Sequence, residues 1–127
     1  SACAAVPPTS PDAGPGQTLV APERAAFFFA EGCILTAPGF ENTGTALGDF
    51  PFTQNSRTGT YYHNSGNLSI KSVPGGCSMV FGTDLPADEV VSRMAKATAA
   101  AVPQVPQGIS ITSRMASDGL RYFRFGM

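Results

Sequence analysis

The stretch Thr58-Gly59-Thr60-Tyr61-Tyr62-His63-Asn64-Ser65-Gly66-Asn67-Leu68-Ser69-Ile70-Lys71-Ser72-Val73-Pro74-Gly75-Gly76-Cys77-Ser78-Met79-Val80-Phe81-Gly82 decides the fold. Two β-prone runs, 58–63 and 67–73, flank Asn64-Ser65-Gly66, and Pro74-Gly75-Gly76 leads into a third run, 77–82. Turn-forming residues between β-prone runs mark antiparallel hairpins, so the stretch reads as a three-strand meander. Successive side chains along a strand point to opposite faces. Leu68 and Ile70 therefore share a face opposite Ser69 and Lys71, and Cys77, Met79 and Phe81 share one opposite Ser78 and Val80. One side of the sheet is expected to be dry and the other wet.

Beyond the meander, Thr83-Asp84-Leu85-Pro86-Ala87-Asp88-Glu89 is a helix start, with proline and two acids in its first turn. Ala87, Val90, Val91, Met94, Ala97 and Ala101 recur at three- and four-residue steps as one buried stripe, with Thr98 its only polar member. Pro103 and Pro106 end the helix. Ile109, Ile111 and Met115 then alternate towards Asp118-Gly119, a tight-turn dipeptide, and Leu120 to Phe125 completes a final hairpin. Arg121-Tyr122-Phe123-Arg124-Phe125 reads as an edge strand guarded by arginines.

On the N-terminal side, Pro22 and Glu23 open a run that continues through Phe27, Phe28 and Phe29 to Gly32, which predicts a helix over 21–31, with a strand over 27–35 as the alternative. Three adjacent phenylalanines cannot share one helix face, so the helix is buried on two sides or leaves a phenylalanine at an interface. Residues 36–57, rich in Gly, Pro and Asn, read as a long irregular connection that Phe40, Leu47, Phe50 and Phe52 pin over the core. The order α-β-β-β-α-β-β predicts an α+β two-layer sandwich: a five-stranded antiparallel sheet with two helices on one face. Residues 21–127 form the single domain and residues 1–20 a Pro/Gly-rich tether.

Composition bounds the function. At 127 residues, 43% of them apolar, there is room for one core. Eight Lys and Arg against nine Asp and Glu give a formal charge of -1, so no field gathers polyanions and nucleic acid is not an expected partner. Charged residues are 13% of the chain, about half the usual share. No apolar run approaches the roughly 18 residues that span a membrane.

The three cysteines address the compartment. Cys33 and Cys77 lie inside folded elements, each after a glycine that lets the backbones approach. A bond between them closes a loop of about 45 residues and contributes roughly 4 kcal/mol in the chain-entropy model; the other reading is two buried thiols acting as small hydrophobes. Pairing would indicate an oxidising, exported setting. Cys3 heads the tether, whose residues Ala4 to Thr18 carry four prolines and two glycines and span on the order of 40 Å when extended. Ser1-Ala2-Cys3 followed by such a linker resembles the end of the lipobox of bacterial lipoproteins. The resemblance implies a lipid on Cys3 and a periplasmic or outer-membrane-anchored protein; the alternative is a secreted protein whose third cysteine is incidental.

Active-site patterns are sparse. One histidine, no Cys-x-x-Cys and no calcium-loop run leave no metal or cofactor expected. Gly76-Cys77-Ser78-Met79-Val80 has Val80 where a nucleophile elbow needs glycine. Asn67-Leu68-Ser69 matches a glycosylation sequon. The one constellation worth naming is Tyr61, Tyr62, His63 and Asn64 with Asn67 and Lys71, where ring faces and amide donors at a hairpin tip suit a small polar ligand or a peptide. The expected function is a non-enzymatic, disulfide-stapled binding module of the bacterial envelope, its partner an envelope protein or a small ligand. The alternatives are a small hydrolase or transferase using His63 as acid or base, and a structural homo-oligomer with an apolar patch at Phe27 to Phe29.

Overall fold

A computed structural model describes residues 13–127. Cys3, and with it the expected lipid attachment and the first part of the 1–20 tether, lies outside the described residues. The class is α+β, built on one antiparallel sheet. Its strands are β1 (Phe52–Gln54), β2 (Tyr61–His63), β3 (Leu68–Val73), β4 (Gly76–Thr83), β5 (Ser110–Met115) and β6 (Arg121–Gly126), in the spatial order β1-β2-β3-β4-β6-β5. The helices are α1 (Pro22–Phe29), α2 (Thr43–Leu47) and α3 (Ala87–Ala101).

Six strands and three helices replace the five and two read from the sequence. Both additions fall in the stretch 36–57. There Phe52 pairs with His63 and Gln54 with Tyr61 to form β1, and the buried Thr43 hydroxyl donates to the Gly32 carbonyl at 2.7 Å, tying α2 to the preceding helix. The final hairpin also packs differently. β6 lies inside the sheet between β4 and β5, and β5 is the edge. Phe123 and Phe125 are the reason: they stack on Phe81 at 5.9 and 6.2 Å between ring centroids, which requires their strand to pair directly with β4.

The core lies between the sheet and the helices. Leu68, Ile70, Met79, Phe81, Phe123 and Phe125 line the inner face, and Phe28, Phe29, Val90 and Met94 cover it. Among the three phenylalanines of α1, Phe28 and Phe29 are buried while Phe27 stays half-exposed, edge-on to Phe50 at 5.3 Å. After Phe29 the helix widens into one π turn, Ala30–Ile34. The Gly32 carbonyl is served there by two hydroxyls, Thr36 at 2.9 Å and Thr43. A side chain on Gly32 would press against Ile70 at 3.2 Å. That turn brings Cys33 over β4, and Cys33 and Cys77 are joined by a disulfide with Cα atoms 5.5 Å apart. On the surface, Arg93 of α3 donates two hydrogen bonds of 2.7 Å to the Glu23 carboxylate of α1 and one of 2.9 Å to Glu89. Its guanidinium holds the Glu23 carboxyl down to about 2.

The outer face is not uniformly wet. Residues 13–20, the last part of the stretch read as a tether, lie against it. Ala13 is fully buried with Val80 and Tyr122, and Thr18 bonds to the β2–β3 turn through Ser65 (3.1 Å) and Asn67 (2.8 Å). Gly14 and Gly16 permit the approach, because a Cβ on either would collide with the Tyr62 ring or the Gly66 carbonyl. Val80 and Tyr122 are consequently buried on a face that alternation alone leaves to solvent, as is Ser69.

Candidate functional site

His63 ends β2 and begins the turn into β3. Its Nδ1 accepts the backbone N–H of Gly66 at 2.7 Å and of Ser65 at 3.2 Å, so the ring proton sits on Nε2. The imidazole is 7% exposed and packs against Phe28 and Phe52 at 5.4 and 5.3 Å between centroids. Nε2 is buried there without a hydrogen-bond partner among the described residues. Burial, and then the charge of Arg24, push its pKa below the usual value. Protonating Nδ1 would also forfeit both turn bonds. The imidazole thus acts as the internal acceptor that closes the hairpin, and among the described residues no carboxylate bonds to it.

The other members of the constellation divide between places. Tyr61 lies on the helix side of the sheet, its hydroxyl against Gly44. Asn64 is exposed and accepts a 2.6 Å hydrogen bond from Thr53, bracing β1. Asn67 is 4% exposed: its amide reaches the Tyr122 hydroxyl at 3.5 Å, and Tyr122 in turn donates to Asp118 at 2.8 Å. Burial is the main cause raising the Tyr122 pKa. So deep an asparagine is not an accessible glycosylation acceptor in the folded chain.

Tyr62 and Lys71 do meet, on the outer face. They line a groove of about 360 Å³ with Thr58, Thr60, Ser69, Ser78, Val80 and Arg124. The registers explain it: Tyr62 pairs with Ser69, Ser69 with Val80 and Val80 with Arg124, so one row of side chains crosses four strands. Lys71 pairs with Ser78 in the adjacent row. Five hydroxyls and two cations face one concavity. Tyr62 is also a wall of a second groove of about 500 Å³, with Thr53, Asn55, Arg57, His63 and Asn64 at the β1–β2 end. Arg124 was missed as a partner of Lys71, because only the strand order sets β6 beside β4. The signal available was composition: Tyr122, Phe123 and Phe125 make β6 the more apolar strand of its hairpin and hence the inner one.

Among the described residues no three His, Cys, Asp or Glu side chains stand close enough to hold a metal ion, and no helix is long and apolar enough to cross a membrane. Comparison with protein-family models, with curated proteins and with solved structures finds no match to this chain.

Proposed function

We propose that this chain is a binding module of the bacterial envelope, exported, stapled by its disulfide, tethered through Cys3, and acting without catalysis. Its ligand lies in the outer-face groove. The observation that carries the reading is the lining of that groove: hydroxyls of Thr58, Thr60, Tyr62, Ser69 and Ser78 with the charges of Lys71 and Arg124. Fixed cations beside short hydroxyl side chains favour a small ligand bearing both a carboxylate or phosphate and hydroxyl groups, such as an acidic sugar. Tyr62, Ser69, Lys71, Ser78 and Arg124 are oriented by the rigid sheet, and Thr58 and Thr60 join them from the β1–β2 loop. The Cys33–Cys77 bond supports the address, since structural disulfides persist in oxidising compartments. The depth of His63 and its use as a turn acceptor argue against the acid–base alternative.

The test is an NMR titration of the isotope-labelled chain with glucuronate, and with glucose as the neutral control. Amide shifts at Ser69, Lys71 and Ser78 are expected with glucuronate alone, and Lys71→Met should weaken binding about tenfold, the loss of one charge-assisted bond. Shifts confined to other surfaces, or equal responses to both sugars, would refute the assignment of the groove.

A further inference from the structure

We infer that two copies of this chain join edge to edge through β5, extending the six-stranded sheet across a two-fold axis at Ser113. The hydrogen-bond pattern of the hairpin sets the geometry. Cys77 and Met127 exchange both backbone bonds, N–H to carbonyl at 3.2 and 2.8 Å. Stepping by two along β6, Phe123 and Phe125 direct their backbone groups to β4, while Tyr122, Arg124 and Gly126 direct theirs to β5. The partners of the latter are Arg114, Thr112 and Ser110, and the ladder continues with Ala116 donating to Leu120 at 2.8 Å. Ile111, Ser113 and Met115 therefore point their N–H and C=O away from the sheet, where the strand order ends.

Among the described residues, this edge lacks the usual guards. It has six residues and no proline, and all six are exposed. Its one charge, Arg114, lies on the outer face with Tyr122. The residues that offer free backbone groups carry their side chains on the helix side, and two of them are large and apolar: Ile111 is 44% exposed and Met115 56%. Ile111 also borders an apolar groove of about 260 Å³ formed with Val91, Ala95, Val105 and Pro106. An unpaired, apolar strand of this length is a template for another strand.

A second copy fits because the sequence is complementary to itself in one register. Antiparallel pairing centred on Ser113 sets Ile111 against Met115 of the second copy, and Met115 against its Ile111, on the same face as both grooves. On the outer face Arg114 opposes Thr112, so no like charges meet directly; the two arginines lie on a diagonal. A one-residue slip would turn the apolar pair away and misalign the ladder. The opposite edge, β1, is only three residues long, which disfavours head-to-tail growth and leaves the closed pair. The contact is small, below the roughly 1,200 Å² of standard interfaces, so the pair is expected to dissociate on the order of 10–100 µM.

The test uses the full chain with Cys3→Ser, so that no tail thiol interferes. Sedimentation should show a reversible monomer–dimer equilibrium. Adding Ser113→Cys places two sulfurs at the axis, with Cα atoms about 5.5 Å apart in a bonded pair. Mild oxidation should crosslink this variant at least about tenfold faster than Ile111→Cys or Met115→Cys alone, whereas those two mixed should crosslink to each other. Ser113→Pro removes an outward N–H that serves no bond within the sheet; it should leave the circular dichroism unchanged and weaken the pair tenfold or more. Should that variant fail to fold, the crosslinking rates decide the question. A chain that stays monomeric at millimolar concentration, which would leave the edge to some other strand, overturns the inference, as does Ser113→Cys crosslinking no faster than Ile111→Cys.

Discussion

His63 offers the sharpest test of how this fold is held, because it is the chain's single histidine and what it contributes is separable by substitution. Replacing it with phenylalanine keeps a ring between Phe28 and Phe52 but removes the acceptor for the Gly66 and Ser65 amides. The Gly66 N–H is then buried without a partner, which costs about 1–3 kcal/mol. Asparagine is the converse: its side-chain oxygen reaches the Nδ1 position and keeps the turn, but forfeits ring contacts worth about 0.5–1.5 kcal/mol each in aromatic pairs. Acid gives a third reading. The folded pKa is depressed by burial, so the unfolded chain takes up the proton first, near pH 6.5. The contribution of His63 is therefore complete above that pH and is lost as pH falls towards the folded value, with a slope of at most about 1.4 kcal/mol per pH unit. Glu23, held at about 2, gives up its contribution as pH falls from the ordinary carboxylate value of 4.5 towards that folded value, so the interval from pH 7 to 5 belongs mainly to His63. Urea unfolding followed by circular dichroism at half-unit steps would measure it. The wild-type midpoint should drop across that interval while both variants stay flat. A flat wild-type profile, or a slope that survives in His63→Phe, would refute the account of the imidazole as a neutral, buried acceptor.

Other consequences are open to simpler measurements. Replacing Cys33 and Cys77 together by alanine reopens a loop with a sequence separation of 44 residues and should lower unfolding free energy by about 4 kcal/mol, read by denaturant titration; a loss under 1 kcal/mol would contradict the loop-entropy account. Phe81→Ala, which empties a fully buried site stacked against Phe123 and Phe125, should cost about 3–5 kcal/mol in the same assay. Gly14→Val combines a left-handed backbone position, φ 89, with a collision against the Tyr62 ring, and should detach residues 13–20 from the sheet. Faster hydrogen exchange at Asn67, whose amide bonds to Thr18, would register that detachment.

What was legible in the sequence was the part written in local signals. Asn64-Ser65-Gly66 and Pro74-Gly75-Gly76 announce turns, and the alternation between them fixed which side chains of β3 and β4 face the core. The α3 stripe appeared too, although Val91 and Ala101, counted in it, are exposed at its margin. The misses share a cause. β1 is three residues after a proline, too short for any pattern, and exists because β2 offers it a partner. α2 is Thr-Gly-Thr-Ala-Leu, a poor helix on propensity alone, held by the hydroxyl of Thr43. Which strand of the last hairpin would meet β4 is a long-range choice, made by Phe81 with Phe123 and Phe125, far apart in sequence. The six-residue constellation was assembled by nearness along the chain, and a strand sends near neighbours to opposite faces. Tyr61 and Tyr62 could not have served one site.

The outer face joins these results into one constraint. Ala13 seals Val80 and Tyr122, Gly14 rests on Tyr62, and the bonds of Thr18 close over the β2–β3 turn, so the segment from Ala13 to Thr18 occupies part of the side of the sheet that alternation leaves to solvent. Among the described residues the Lys71 groove lies immediately beside Tyr62. A ligand in the proposed groove and the Ala13–Thr18 segment would therefore both contact Tyr62. Displacing residues 13–20 should then free the ring and loosen the groove. The β5 edge lies at the far rim, four strands from Tyr62, and its pairing face is the opposite, helix side of the sheet. Pairing of copies and occupation of the groove thus draw on separate surfaces, so Ser113→Pro should leave the glucuronate response unchanged, and Lys71→Met should leave the monomer–dimer equilibrium unchanged.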